Sequence, residues 1–367
     1  MSQESHFATG ATVSVAIRSA FENMSLEERV RWRMQDVPGR PSVTERNLDI
    51  PFPYGWFPAM LSEELKAGEV KPLRYFGRDL VAWRGEDGKV RMLDAHCKHL
   101  GAHMGHGGRV AGNNLECPFH AWQYDGQGIV HDIPYAKAIP QRLRKPCPQQ
   151  WPTAEANRMI WFWYHPLGAA PQWEIEHFPE TSNPDWTPYE IHEWRVFGSL
   201  QNMAENGVDV AHFKYVHGTA TFPTSEMIWD GPRRTSIIEA GVDTANGRAP
   251  IRIQASQFGP GQTYTRFTGI ADTLLVAAVT PVEKDEVRVR FCFTQPKEQK
   301  DALATMVAQG FIHEVCRQLD QDKVIWDRQR YLERPIVCDG DGPILRFRKW
   351  YSQFYAEWAE GPRAAAS

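Results

Sequence analysis

Polar and apolar positions alternate in two distinct rhythms along the chain. From Trp56 to about Tyr164 the apolar runs are short and broken by turn residues: Leu80-Val81-Ala82-Trp83, then Gly85-Glu86-Asp87-Gly88, then Val90-Arg91-Met92-Leu93. That pattern predicts a small all-β domain, with a hairpin at Asp87-Gly88 and a last strand over Met159–Tyr164. His165-Pro166-Leu167-Gly168 reads as its exit. Further on, Val287, Val289, Phe291 and Phe293 alternate with Arg288, Arg290, Cys292 and Thr294, which predicts a half-buried antiparallel strand. The period then lengthens. Val307, Phe311, Val315, Leu319 and Trp326 recur at helical spacing, predicting one long helix from about Asp301 to Tyr331. Before all of this, Ser25-Leu26-Glu27-Glu28 is a capping box that opens a short helix through Met34, stopped by Pro38-Gly39-Arg40-Pro41. The expected fold class is α+β. An N-terminal helix-and-loop segment (1–48) should pack on the last of three regions, with an all-β domain at 49–165 and a sheet-plus-helix domain at 166–367.

A length of 367 residues, 42% hydrophobic and 23% charged, with a net charge of −4, is an ordinary globular balance and excludes a disordered or collagen-like chain. The longest apolar runs, Met159–Trp163 and Leu274–Val279, are strand-sized, so no transmembrane segment is expected. The first residues lack the basic-then-apolar order of a secretory signal, which points to the cytoplasm. No basic block stands ready to neutralise phosphates, so nucleic acid is not an expected partner. Six cysteines, at positions 97, 117, 147, 292, 316 and 338, are too sparse for a disulfide framework. Cys97 and Cys117, however, have histidines at short offsets.

Cys97-Lys98-His99 and Cys117-Pro118-Phe119-His120 form the pattern C-x-H-x17-C-x-x-H. Such a set can bind zinc, or a [2Fe–2S] cluster with two sulfurs on one iron and two imidazoles on the other. Each short loop supplies one ligand of each kind, whereas zinc fingers usually pair like with like, and this order favours the cluster. With His99-Leu100-Gly101 and Cys117-Pro118-Phe119-His120-Ala121-Trp122, the segment resembles a Rieske domain. Ala102 and Phe119 stand where respiratory Rieske proteins carry extra cysteines, so the resemblance is to the oxygenase and ferredoxin branch. His96, His103, His106 and His131 are surplus to the pattern and read as loop or outer histidines.

Asn206-Gly207-Val208-Asp209-Val210-Ala211-His212-Phe213-Lys214-Tyr215-Val216-His217 places two histidines five apart, with an aspartate three before the first. Within a helix Asp209 and His212 share a face, and His217 joins it if the helix ends near Tyr215. After the upstream motif, this segment resembles the iron-binding helix of Rieske non-haem iron oxygenases. The resemblance implies that His212, His217 and a carboxylate of the C-terminal helix hold Fe(II), leaving one face open. Asp320, Asp322 and Asp327 are the choices. Asp322 lies on the apolar stripe and is preferred, with Asp320 the fallback. Asp209 is then implied to bridge to a cluster histidine, His99 or His120, of another subunit, in a head-to-tail homotrimer. The bland alternative is an ion pair with Lys214. Glu205 and Asn206 stay open as outer contacts.

The flanks Leu115–Trp122, Ile133-Pro134-Tyr135-Ala136 and Asp209–His217 look like those of 3-ketosteroid 9α-hydroxylase oxygenases and cholesterol 7-desaturases. This implies an all-β Rieske domain joined to a helix-grip-like catalytic domain. It also implies O2 chemistry on a bulky apolar steroid or sterol, with electrons from NAD(P)H through a separate reductase, directly or by way of a ferredoxin. Hydroxylation, desaturation and oxidative demethylation, including that of methoxyaromatics, share these centres; a pure Rieske electron carrier and a structural zinc protein are the rivals outside that group. Phe222, Met227, Ile228 and Trp229 are expected in the pocket wall or lid.

Overall fold

The computed structural model describes residues 21, 23–218, 225–244 and 247–356. Two compact units divide it: Pro53–Phe178, and the segment from Pro179 onward together with the described residues up to Phe52.

The unit Pro53–Phe178 is built from short strands, as the frequent turn residues require. Gly55–Leu61 (β1) pairs with Met159–Tyr164 (β10), which pairs with Thr153–Ala156 (β9). Val70–Tyr75 (β2), Arg78–Arg84 (β3) and Val90–Asp94 (β4) form a meander. The β3–β4 hairpin turns at Asp87-Gly88, where Gly88 takes a φ of 75° and the Asp87 carboxylate accepts from the Lys89 amide at 3.1 Å. Arg109–Ala111 (β5), Asn114–Glu116 (β6), Gln123–Tyr124 (β7) and Val130–Asp132 (β8) make a four-stranded sheet. Val81, Trp83, Leu93, Cys97, Cys117 and Tyr124 meet in one buried cluster, so the two cysteine loops are anchored in the core rather than draped over it. The tail beyond β10 stays with this unit because Asn157 clamps it: its amide donates to Glu176 O at 2.7 Å and its carbonyl accepts from Phe178 N at 2.8 Å.

The second unit is a seven-stranded antiparallel sheet. Its strands are Glu190–Val196 (β11), Ser225–Asp230 (β12), Arg233–Thr244 (β13), Gly247–Phe258 (β14), Gln262–Gly269 (β15), Thr273–Glu283 (β16) and Glu286–Thr294 (β17), in the order β11-β17-β16-β15-β14-β13-β12. In β17 Val287, Val289 and Phe293 are buried as the alternation predicts, but Cys292 and Thr294 are buried as well, and Phe291, 5.2 Å from the Trp194 ring of β11, is only partly so.

Three helices matter for the site. Leu26–Met34 (α1) opens on Ser25 with both bonds of the capping box present and packs on β11. Ala302–Trp326 (α4, preceded by the short helices Leu200–Glu205, α2, and Ala211–Tyr215, α3) is capped by Asp301, whose carboxylate accepts from Ala304 N at 2.8 Å. It ends at Trp326, five residues short of the expected Tyr331. There the chain turns so that Asp327 can accept from Phe197 N at 2.9 Å and Tyr331 N can donate to Arg46 O at 2.8 Å. The deepest row of α4 is Ala304, Ala308, Ile312, Cys316 and Leu319; the expected Val307, Phe311 and Val315 lie beside it, half-buried. Small side chains on that row let the helix sit close, with Phe267 of β15 stacked on Phe311 at 5.3 Å.

The last turns of α4 depart from amphipathic form. Leu319, Asp320, Gln321, Asp322 and Lys323 are all buried. Asp320 is taken by Arg33 of α1 in a two-pronged ion pair, 2.7 Å on each oxygen, and also accepts from Trp194 Nε1 at 2.7 Å. Lys323 pairs with Asp327 at 2.7 Å, and burial pulls its ammonium below the usual lysine range against that pairing. Arg46, 1% exposed, ties the N-terminal segment down through Phe197 O, Asp327 O and Asp285. Asp320→Ala is therefore expected to leave Arg33 as an unpaired buried cation and lower the unfolding free energy by about 3–5 kcal/mol in urea titrations followed by tryptophan fluorescence. A loss under 1 kcal/mol would contradict this account of the anchor.

Candidate metal centres and family membership

The first centre lies in the unit Pro53–Phe178, on two loops of the same construction. In each, the cysteine amide donates to the carbonyl five residues on (Cys97 to Ala102, 2.9 Å; Cys117 to Trp122, 2.8 Å). In each, the cysteine carbonyl accepts from the amide four residues on (Gly101, 2.9 Å; Ala121, 3.1 Å). Both fourth residues are left-handed, at φ 78° for Gly101 and 55° for Ala121. Glycine takes this conformation freely; alanine pays roughly 1 kcal/mol for it. The loops thus turn both cysteines inward and bring the His99 and His120 rings to 4.7 Å. Trp122 stacks on His99 at 4.6 Å, nearly parallel, and donates its indole N–H to Tyr135 Oη at 2.7 Å. Tyr124 Oη lies 3.1 Å from Cys97 Sγ and accepts from Lys98 N at 3.2 Å.

The donor set fits an iron–sulfur cluster on one observation above all. The Nδ1 atoms of His99 and His120 are both buried with no hydrogen-bond partner, an arrangement that costs free energy unless a ligand takes the lone pairs. Burial also pushes the Cys97 thiol above its ordinary range, against the Tyr124 hydrogen bond, so a metal is what would hold it as thiolate. The surplus histidines lie apart from these four. His96 reaches Asp79 at 3.4 Å and Gly101 O at 3.1 Å, and His103 stands between the His96 and His106 rings at 5.2 and 4.5 Å.

The second centre belongs to the other unit. Leu200–Glu205 (α2) begins at Ser199, which caps Asn202 N, and Ala211–Tyr215 (α3) follows after a turn. Asp209 stands before α3 rather than within it as the offset of three suggested. Its Oδ1 accepts from Ala211 N at 3.0 Å and His212 N at 3.3 Å, capping the helix, while the side chain stays about one-third exposed. The helix stops at Tyr215, and the chain then folds back so that His217 meets His212 with ring centroids 4.9 Å apart. One ligand atom each from His212, His217 and Asp322 lies within 4.8 Å of the others, all three residues being buried. Asp320, two residues away on α4, points elsewhere and is committed to Arg33; Asp327 is committed to Lys323 and Phe197.

Backbone and amide groups fix both rings. His212 Nδ1 donates to Asp209 O at 2.5 Å and His217 Nδ1 to Gln321 Oε1 at 2.9 Å, which directs each Nε2 toward Asp322. Asn206 Nδ2 bridges His212 Nε2 (3.1 Å) and Asp322 Oδ2 (2.9 Å). Arg234 braces the preceding turn by donating to Gly207 O at 3.0 Å; its burial lowers the guanidinium to about 10. Glu205 is locked to Arg348 at 2.7 and 2.9 Å. A cavity of about 380 Å³ reaches His212 and Asp322 past Asn206, Asp209, Trp326 and Ile336. Met227, Ile228 and Trp229, expected in the pocket wall, lie on edge strand β12 and do not line it; Trp229 packs on Trp350 at 5.7 Å. Phe222 falls outside the described residues.

Gln321 and Arg234 carry no motif, and sequence reasoning did not find them. The signal for Gln321 was indirect: a polar residue between two aspartates on a helix that the stripe already buries. Arg234 offered none.

Comparison with known proteins agrees with this geometry. The Rieske [2Fe-2S] domain matches residues 55–143, and the 3-ketosteroid 9alpha-hydroxylase C-terminal domain matches residues 162–355. A probable 3-ketosteroid-9-alpha-monooxygenase oxygenase component of Rhodococcus rhodochrous is 31% identical over 328 residues, covering 83% of this chain and 80% of its own. Cholesterol 7-desaturase of Caenorhabditis elegans is 31% identical over 354 residues, covering 87% and 81%. Among solved structures, dicamba monooxygenase bound to 3,6-dichlorosalicylic acid shares the fold at a TM-score of 0.67 and 20% identity, over 84% of this chain and 98% of that one. NdmA of Pseudomonas putida CBB5 with caffeine does so at 0.68 and 18%, over 84% and 92%. The chain belongs to the Rieske oxygenases, in the family whose catalytic domain is that of 3-ketosteroid 9α-hydroxylase. It is accordingly an O2-using oxidoreductase with a [2Fe–2S] cluster, a mononuclear iron and electrons supplied by a reductase. Among the described residues no helix is long and apolar enough to cross a membrane.

With metal removed, the two histidines should separate in their titration. Burial lowers the His212 pKa below its ordinary value, whereas for His217 the Asp322 carboxylate overcomes burial and raises it. The His217 contribution to stability is present below pH about 6.5 and is lost as pH rises through its folded pKa; His212 costs stability as pH falls below about 6.5. In imidazole NMR of chelator-treated protein, the resonance lost in His212→Ala should titrate below that value and the one lost in His217→Ala above it; both on the same side would contradict the assignment.

Proposed function

We propose that this chain is the terminal oxygenase of a multicomponent system that hydroxylates a steroid or sterol. The observation that carries the metal assignment is the convergence of His212, His217 and Asp322 on one buried point. In this reading they hold the mononuclear iron as a facial set of two imidazoles and one carboxylate, and Cys97, His99, Cys117 and His120 hold the cluster. When bound, the cluster relays single electrons and the iron activates O2 for attack on a C–H bond. The chain's own part is to hold the imidazoles in one tautomer through Asp209 O and Gln321, to keep the site dry, and to shape access along the cavity. Support for a steroid or sterol comes from the relatives, whose names place them on 3-ketosteroids and cholesterol. Because the desaturases match at the same identity as the hydroxylases, loss of two hydrogens is the second reading.

The working form is proposed to be a head-to-tail trimer in which Asp209 of one protomer meets His99 or His120 of the next. Two exposed apolar groups support it. Exposed Phe119 and Tyr135 lie 3.8 and 6.4 Å from the His120 ring and exposed Leu100 follows His99 in the chain, while Leu332, Ile336 and Leu345 lie exposed in the segment that lines or adjoins the Asp209 cavity. Patches of this kind are ordinarily covered by a partner. A location in the cytoplasm, and a ferredoxin or reductase fed by NAD(P)H as the redox partner, complete the proposal.

Three experiments test this. Mass spectrometry of products from iron-loaded protein, a surrogate reductase, NADH and O2 should show a steroid heavier by one oxygen. A steroid lighter by two hydrogens would install the desaturase reading, and turnover of methoxyaromatics alone would remove the steroid assignment. Separately, His212→Ala should lose mononuclear iron and turnover while keeping the cluster spectrum. Asp209→Asn should keep both metals but slow single-turnover electron transfer by roughly tenfold or more; unchanged kinetics would remove Asp209 from the bridge.

A further inference from the structure

Residues 133–154 contain Lys137, Arg142, Arg144 and Lys145 and no acidic residue, in a chain whose net charge is −4. The structure places this segment against the cluster loops. Ile133 is part of the buried core that includes Cys97 and Cys117, and Ile139, Leu143 and Cys147 pack on the same core. Tyr135 holds Trp122, whose ring lies on His99. The polar side of the segment faces water: Lys137, Arg142, Arg144 and Lys145 are exposed and form no ion pair among the described residues. Lys98, between the two ligands of the first loop, is also exposed and lies close enough to influence the Cys147 thiol. The one acid on the strand that touches the Gln141–Arg144 turn is Asp132, on β8. Most other surface arginines of this unit are already paired, as in Arg84 with Glu155, Arg91 with Asp87 and Arg109 with Glu116. Lys66, Lys71 and Lys89 also form no ion pair among the described residues, but they are scattered along the chain, whereas four of the five cations here fall within positions 137–145.

The backbone adds stiffness. Pro134, Pro140, Pro146, Pro148 and Pro152 punctuate the segment, which lowers the ordering cost of presenting charges to a partner.

We propose that this basic segment is the docking surface for the electron donor, an iron–sulfur protein with an acidic face, and that it sets the rate of cluster reduction. The proposal rests on the functional reading above. One electron leaves the reduced donor and enters the oxidised cluster; no bond is made or broken. Opposite charge raises the encounter rate and orients the donor's cofactor toward the loop, and salt weakens both effects.

The test is stopped-flow bleaching of the cluster's visible absorbance on mixing with an acidic plant-type [2Fe–2S] ferredoxin, kept reduced by its flavoprotein reductase and NADPH. The wild type should show a second-order rate that falls steeply with salt. Arg142→Glu/Arg144→Glu should lower it about tenfold at low ionic strength, converge with the wild type at high salt, and leave both the spectrum and reduction by dithionite unchanged. Arg142→Gln/Arg144→Gln, a milder change, should fall between. Equal rates for all three proteins, or a wild type that bleaches with dithionite but not with the ferredoxin, would overturn the docking surface. So would a variant that keeps its ferredoxin rate and loses affinity for anionic phospholipid vesicles instead. Absence of the cluster spectrum from wild-type protein would overturn the functional reading itself.

Discussion

One turn of helix governs the catalytic unit. Asp320, Gln321, Asp322 and Lys323 follow one another inside the protein, where each isolated polar group would cost several kcal/mol. Because successive residues on a helix point about a quarter-turn apart, the four cannot share a partner. Asp320 goes to the N-terminal helix and Trp194, Gln321 to His217, Asp322 to the histidine pair and Asn206, and Lys323 to Asp327. The helix is consequently fixed in rotation and in height by chemically different anchors. A slip of one residue would strand every one of them.

Reading the sequence located this turn but not its division of labour. Periodicity placed a long helix and put Asp322 on its buried side, because a stripe of apolar residues defines a face whatever packs on it. It could not show that Asp320 would be equally buried, since the partner that makes this tolerable, Arg33, is 287 positions away. Arg46, with acceptors 151 and 281 positions away, was hidden in the same way, and even the 27 positions from Arg234 to Gly207 sufficed: a buried arginine has no local signature, only acceptors outside its own element. The short strands, the Asp87-Gly88 turn and the capped helix at Ser25 were legible because they obey local rules. The end of α4 was not, because it is set by Asp327 and Tyr331 reaching to Phe197 and Arg46. Nearness in sequence to His217 suggested Met227–Trp229 for the pocket wall; the structure sets them on β12, at the sheet's edge opposite β11, and the cavity at His212 is lined by other residues.

The two cysteine loops show the converse, a case where spacing alone came close to geometry. Their five- and four-residue hydrogen bonds match, although the ligand offsets differ, His99 coming two residues after its cysteine and His120 three. The backbone closes the same ring in each, and the extra residue is absorbed between cysteine and histidine. Both imidazoles keep a buried Nδ1 with no hydrogen-bond partner, a detail that composition could never supply.

The Arg33–Asp320 clasp gives the start of the chain an unexpected weight. A protease that cut in the loop after Met34 would remove no residue of the His212–His217–Asp322 triad, yet release of the clipped helix would strip Arg33 from Asp320 and leave that buried carboxylate, two residues from Asp322, with Trp194 Nε1 as its hydrogen-bond donor. Relief would come by admitting water or by unwinding the last turn, and either disturbs the geometry on which the triad depends. A cut near the amino end would thus be felt at Asp320, 287 positions beyond Arg33, because the clasp makes the two neighbours in space.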